Sequence, residues 1–290
     1  MKKSIYLVAM SLLLTATMFS CGQKSPFPGY KPTGTGLYYK EIVKGTGEQL
    51  KMNDVVRVSL AYYINDSLLF TTDNLPEPAY DLVRESIFKG DIYEGFLLMH
   101  VGDSMSFMIH ADSVFRKQFH APVIPEFVTP DAYLRWEVKV DEAMTEEAYQ
   151  QMKLDEMAAL QEQAQNVFDA YLEANGITAE PQESGLVYVR TQKGKGPKPG
   201  YKQKVKVHYI GKLLDGTVFD SSVERGEPIE FELGVGQVIP GWDEGIALMS
   251  KGEKGVLYIP YNLAYGARQA GDLIKPFSNL IFEVELVDFN

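Results

Sequence analysis

Apolar and polar positions alternate from residue 205 onward: Val205, Val207 and Tyr209 share one side of an extended chain, with Lys206 and His208 between them. Asp215-Gly216 then supplies a tight turn, and Thr217 and Phe219 resume the alternation. Such a period of two predicts a hairpin with one face buried. A further strand is predicted at 280–287, and its counterpart in the first half of the chain at 133–140.

The pattern occurs twice. Thr35-Gly36-Leu37-Tyr38-Tyr39 answers Ser184-Gly185-Leu186-Val187-Tyr188, and Val56-Arg57-Val58 answers Val205-Lys206-Val207. Asp66-Ser67-Leu68-Leu69-Phe70 answers Asp215-Gly216-Thr217-Val218-Phe219, and the run from Glu94 to Met99 answers the run from Glu244 to Met249. Likeness spread over so many separated segments predicts two domains of one fold.

Between the copies, residues 145–175 read as one helix. Thr145 is its N-cap, Glu146 and Glu147 suit the positive end, and Gly176 stops it. Met157, Leu160, Ala164, Phe168 and Tyr171 recur at steps of three and four, which makes one apolar stripe. That stripe predicts either packing against the chain's own domains or a homodimer through the helix.

Composition adds limits. A length of 290 residues with 45% hydrophobic content fits two folded domains, and a net charge of -11 disfavours nucleic acid as a partner. The lysine-rich stretch 193–206 is read as a solvated loop entering a strand. At the amino terminus, Lys2 and Lys3 precede an apolar run from Ile5 to Met18 and then Phe19-Ser20-Cys21-Gly22, a secretory signal too short for a membrane span. Cys21 is the only cysteine, so no intramolecular disulfide or cysteine-based zinc site is available. Its position resembles a bacterial lipobox, which implies cleavage before Cys21, lipid attachment to it, and a place in the cell envelope on the periplasmic side of the outer membrane. The alternative is an ordinary signal followed by an incidental cysteine. The expected organisation is a signal at 1–20, a flexible tether at 21–34, a first domain at 35–144, the helix at 145–176 and a second domain at 181–290.

Across 184–290 the motifs VKVHYIGKLLDGTVFDSS, GQVIPGWDEGIALMSKGEK, LAYG and NLIFEVELV follow in order. Here the chain resembles the FKBP-type peptidyl-prolyl cis-trans isomerases. The resemblance implies an α+β fold of two half-barrels, each an antiparallel sheet wrapped around a short helix, joined by the long helix. It also implies isomerisation of X-Pro bonds without any cofactor or metal, in proline-containing unfolded or nascent envelope proteins. The rival from another class is a periplasmic chaperone or peptide-binding module with minor isomerase activity.

Carried onto matching positions, the resemblance makes Trp242, in a short helix at 241–249, the floor of a prolyl pocket. Its walls would be Tyr209, Phe219, Val238, Ile239 and Phe282, with Ile229 where many relatives have an aromatic residue. Tyr265 and the Ile239 N–H would meet substrate carbonyls, and Asp220 would stand at the rim, held by Tyr209 and Arg225. The flap 268–278 would add Leu273 and Ile274, although Lys275 replaces a usual proline. Taken singly, Trp242, Phe219 and Phe282 are ordinary core residues; their order together with Asp220 and Tyr265 is what points to a site. In the first copy, Leu60, Thr71, Ile92 and Phe115 stand where the second has Tyr209, Asp220, Trp242 and Tyr265, and Trp136 answers Phe282. Those replacements predict a barrel that kept its frame and lost its catalytic pocket. The four histidines, His100, His110, His120 and His208, show no metal-ligand spacing, and neither a phosphate loop nor a G-x-S-x-G elbow occurs.

Overall fold

The computed structural model describes residues 24–290; the signal segment and Cys21 lie outside the described residues. Two compact units meet between Gln150 and Gln151, each built on one sheet. No helix among the described residues is long and apolar enough to cross a membrane.

In the first unit the strands are β1 (Lys31–Pro32), β2 (Tyr38–Val43), β3 (Val55–Ile64), β4 (Ser67–Thr71), β5 (Ala79–Leu82), β6 (Ser104–His110) and β7 (Tyr133–Met144). They run in the order β1-β2-β6-β7-β3-β4, with β5 also on β3, and every pairing is antiparallel. The helix Ile92–Phe96 packs inside, because Gly95 has no side chain: a Cβ there would stand 2.9 Å from the Phe107 ring. Asn65 and Asp66 both take positive φ, so the β3–β4 hairpin turns tightly.

The predicted tether is a correction from residue 24 onward. Lys31 and Pro32 pair with Tyr39 and Tyr38, and the Tyr30 hydroxyl lies 2.7 Å from Ser106 Oγ. Phe27 meets the rings of Tyr38 and Tyr133 at 5.1 and 4.8 Å. Lysines and prolines suggested free chain, but the interleaved aromatic residues carry enough apolar surface to bind the segment to the sheet.

The second unit holds β8 (Val187–Gln192), β9 (Lys204–Leu213), β10 (Val218–Ser221), β11 (Ile229–Glu232), β12 (Lys254–Ile259) and β13 (Leu280–Phe289). Their order is β10-β9-β13-β12-β8, again antiparallel, with β11 on β9. Val205, Val207 and Tyr209 are buried on the inner face, as the alternation predicts. The hairpin turn closes through the Leu213 carbonyl, which accepts from Gly216 N at 3.0 Å, with Gly216 at φ +88°. The helix Pro240–Ala247 crosses this face, and Gly245 again permits the approach: a Cβ would fall 2.6 Å from Leu257. The two barrels therefore share a packing device as well as a strand order.

The long helix runs Glu146–Ala174, close to its predicted span. Thr145 Oγ1 accepts from Ala148 N at 3.2 Å, and at the other end Gly176 N and Ile177 N return to the carbonyls of Glu173 and Leu172. It is not an element apart from the two units, since their boundary falls within it. Tyr149 in its first turn meets Tyr80 of the first unit with ring centroids 5.1 Å apart. In the second unit Phe168 is 1% exposed, Tyr171 meets Tyr258, and Asn279 Nδ2 donates to the Ala164 carbonyl at 2.7 Å. The apolar stripe is only partly covered: Met157 and Leu160 remain 40% and 42% exposed.

Candidate active site

The short helix begins with Pro240 at its first position, where a missing N–H costs nothing. Ile239 is the extended N-cap; its carbonyl accepts from Trp242 N at 2.9 Å, while its own N–H precedes the helix ladder. Asp243 fixes the approaching loop by accepting from Gly234 N at 2.7 Å and Gly236 N at 3.0 Å. These bonds set Trp242 on the inner face, 3% exposed. Tyr209, Phe282 and Phe231 surround it with ring centroids at 4.9, 5.2 and 5.8 Å. The indole Nε1–H has no hydrogen-bond partner, so the ring presents apolar surface together with an unpaired donor.

Above the indole is an open cavity of about 190 Å³, lined by Tyr209, Phe219, Asp220, Ile229, Gln237, Val238, Ile239, Trp242, Tyr265 and Phe282. An apolar cavity of about 150 Å³ accepts a benzene ring, so a five-membered ring fits. Tyr265 reaches the rim on a turn held by Gly266 N on the Tyr261 carbonyl at 3.0 Å and by Phe277 N on the Gly266 carbonyl at 2.8 Å. Asn279 Oδ1 ties the same turn down through Tyr261 N at 2.8 Å.

Asp220 supplies the acid. Its Oδ2 accepts from the Tyr209 hydroxyl, and its Oδ1 accepts from Arg225 Nη1 and, at 2.8 Å, from Ser221 N. Arg225 Nη2 closes the triangle by donating to the Tyr209 oxygen at 2.9 Å. Desolvation beside the rings pushes the Asp220 pKa up, but the donors from Tyr209 and Arg225 and the guanidinium charge outweigh it and hold the carboxyl below its ordinary value. Burial, and then the Asp220 contact, push the Tyr209 phenol up. The rim therefore carries an ionised carboxylate and a neutral phenol across the physiological range. The buried Ser222 Oγ accepts from the Tyr209 backbone N–H at 2.7 Å and lies 3.1 Å from His208 Nδ1.

Residues 195–287 match the family described as FKBP-type peptidyl-prolyl cis-trans isomerase. FK506-binding protein 1 of Dictyostelium discoideum is 53% identical over 105 residues, which cover 36% of this chain and 98% of that protein. The chain belongs to the FKBP-type peptidyl-prolyl cis-trans isomerase family. An FKBP-type 22 kDa peptidyl-prolyl cis-trans isomerase of Escherichia coli K12 is 53% identical over 122 residues, 41% of this chain and 57% of that relative. FK506-binding protein 2 of Yarrowia lipolytica is 64% identical over 86 residues, 30% of this chain and 60% of that relative. The chain thus spans 57% and 60% of the lengths of these two curated relatives.

Within this FKBP-type unit, nine of the expected residues line one cavity: Tyr209, Phe219, Asp220, Ile229, Val238, Ile239, Trp242, Tyr265 and Phe282. Arg225 stands behind them as the partner of Asp220 and does not line the wall. The flap pair stands apart from the cavity wall. Ile274 is 5% exposed within the unit's own core and Leu273 is 47% exposed, and neither lines the cavity. An antiparallel bridge between Ala270 and Ile274 folds the flap on itself. Gln237 is the lining residue that sequence reasoning missed; its Oε1 accepts from Glu232 N at 3.0 Å across a five-residue loop, a bond with no signal in composition or periodicity. In the first unit the answering positions hold other roles: Ile92 is 1% exposed core, Thr71 Oγ1 accepts from Asp73 N at 3.2 Å, and Phe115 packs on Phe119 and Phe127.

Proposed function

We propose that the second unit catalyses cis-trans isomerisation of X-Pro bonds, and that the residues around Trp242 carry it. The observation behind this reading is the open cavity floored by one indole, with an ionised carboxylate and the Tyr265 hydroxyl at its edge. Rotation about the imide bond must break amide resonance, a barrier of about 18–20 kcal/mol, and no proton or covalent bond has to change hands. Planar amide is more polar than twisted amide, so a water-poor socket disfavours the planar ground state. Trp242, Phe219 and Phe282 would seat the prolyl ring, while the Tyr265 hydroxyl and the Ile239 N–H hold the flanking carbonyls. Asp220, fixed by Tyr209 and Arg225, adds a preorganised charge at the carbonyl that turns. Each 1.4 kcal/mol gained in the twisted state gives about tenfold in rate.

The clients would be unfolded or nascent envelope proteins containing proline, with the chain held at the membrane by lipid on Cys21. The first unit would not isomerise. The test is exchange between cis and trans forms of a Leu-Pro tetrapeptide with wild-type protein and with Asp220→Val/Trp242→Leu. Turnover in the wild type and loss in the double variant is the expected result. Equal turnover in both would sink the enzymatic reading, and prevention of client aggregation without turnover would favour a holding function. Cys21→Ser should move the protein from the membrane to the soluble fraction, and continued membrane association would count against the lipid anchor.

A further inference from the structure

The two sheets place one strand pair identically. Gly211 lies opposite Phe282 in the second, and Tyr62 lies opposite Trp136 in the first. At Gly211 a Cβ would come within 2.6 Å of the Phe219 ring and 2.9 Å of the Phe282 ring. The missing side chain is what lets these two walls stand edge to face, 5.6 Å apart at 82°. In the first unit a phenol fills that place. Tyr62 stacks on Phe70 at 5.4 Å and 20°, on Trp136 at 4.9 Å and 26°, and meets Phe119 at 5.5 Å. Burial in this stack raises the Tyr62 pKa.

We infer that this one strand position decides whether a barrel of this chain has a prolyl socket: Gly211 keeps the second open, and Tyr62 plugs the first. Gly211 is then a specificity-determining residue for an imino-acid ring although it touches substrate with no side chain of its own. The first barrel's loss of binding follows from occupation of the socket, beyond the loss of Trp242, Asp220 and Tyr265 equivalents. For its substrate the inference rests on the isomerase reading, but its geometry can be tested without turnover.

The chain has two tryptophans, Trp242 at the floor of the second socket and Trp136 at the wall position of the first, stacked on Tyr62, so two indole N–H resonances report on the two sockets separately. Benzene is the probe, since a cavity of about 190 Å³ walled by Phe219 and Phe282 over the Trp242 indole has room for its ring. In the wild type, benzene should shift the Trp242 resonance saturably and leave Trp136 unmoved. In Tyr62→Gly both should shift, and in Gly211→Ala neither should. Gly211→Ala should also lower kcat/KM on the Leu-Pro peptide at least tenfold, with Gly211→Ala/Phe219→Leu recovering at least threefold of that loss. An unmoved Trp136 in Tyr62→Gly, or a wild-type response of Trp242 in Gly211→Ala, overturns the inference. If Gly211→Ala does not fold, the Tyr62→Gly titration decides alone. Absence of turnover in the wild type would remove the isomerase reading and leave the benzene titrations to decide the plug.

Discussion

Replacing Trp242 with leucine separates the floor's two contributions. On the protein side, three aromatic pairs at 4.9, 5.2 and 5.8 Å are lost. Such pairs contribute about 0.5–1.5 kcal/mol each beyond burial, so the variant should lose about 2–4 kcal/mol of stability while leucine keeps part of the buried surface. On the substrate side, a prolyl ring buries three methylenes at about 0.8 kcal/mol each. A floor covering about half of the ring then holds about 1.2 kcal/mol, or roughly tenfold in kcat/KM. A loss confined to KM would mean that planar and twisted peptide lean on the indole equally, and a fall in kcat would mean that the twisted form leans harder. The assay is peptide exchange at several substrate concentrations, with the Trp136 resonance monitored as an internal check that the first unit is unchanged. A folded Trp242→Leu protein with kcat/KM within twofold of wild type would refute the indole floor.

Three further outcomes follow from the geometry. Asp220 has a depressed pKa in the folded protein, so its ionic contribution is present above the unfolded value of about 3.9 and is lost as pH falls through the lower folded value. The melting difference between wild type and Asp220→Asn should therefore shrink from pH 6 to pH 3, and a constant difference would refute the pairing with Tyr209 and Arg225. Glu253 is 1% exposed and accepts from the Tyr188 hydroxyl at 2.6 Å, Arg190 Nε at 2.7 Å and Ser250 N at 3.2 Å. Burial raises its pKa, but these donors win and lower it, so Glu253→Ala should cost about 3 kcal/mol at pH 7 and progressively less as pH falls below the ordinary glutamate value; a cost independent of pH, by denaturant titration, would refute that. Phe168→Ala removes a fully buried ring from the long helix and should cost about 3–5 kcal/mol, lowering the melting midpoint seen at Trp242 by about 10 °C or more and leaving that seen at Trp136 in place. A shared shift, or none, would show that the helix does not belong to the second unit as placed.

The sequence by itself determined what depends on neighbours along the chain. Thr145 as a cap, Gly176 as a stop, the alternation Val205-Val207-Tyr209 and the glycine turn at Gly216 are local choices of backbone angle and face, and each is found where the pattern puts it. The resemblance further supplied the residues that meet around Trp242, because their order in the chain is specific to the family. What depends on register across strands was not legible. Tyr62 carries no signal of being a plug until β3 is laid against β7 and β4, and Gly211 is only a glycine until Phe219 and Phe282 close on it. The docking of residues 24–34, the burial of Ile274 and the exposed part of the helix stripe are of the same kind. Periodicity states which face of an element is apolar, and only the tertiary structure decides what covers that face, because contacts between segments far apart in the chain are set by strand pairing and packing volume.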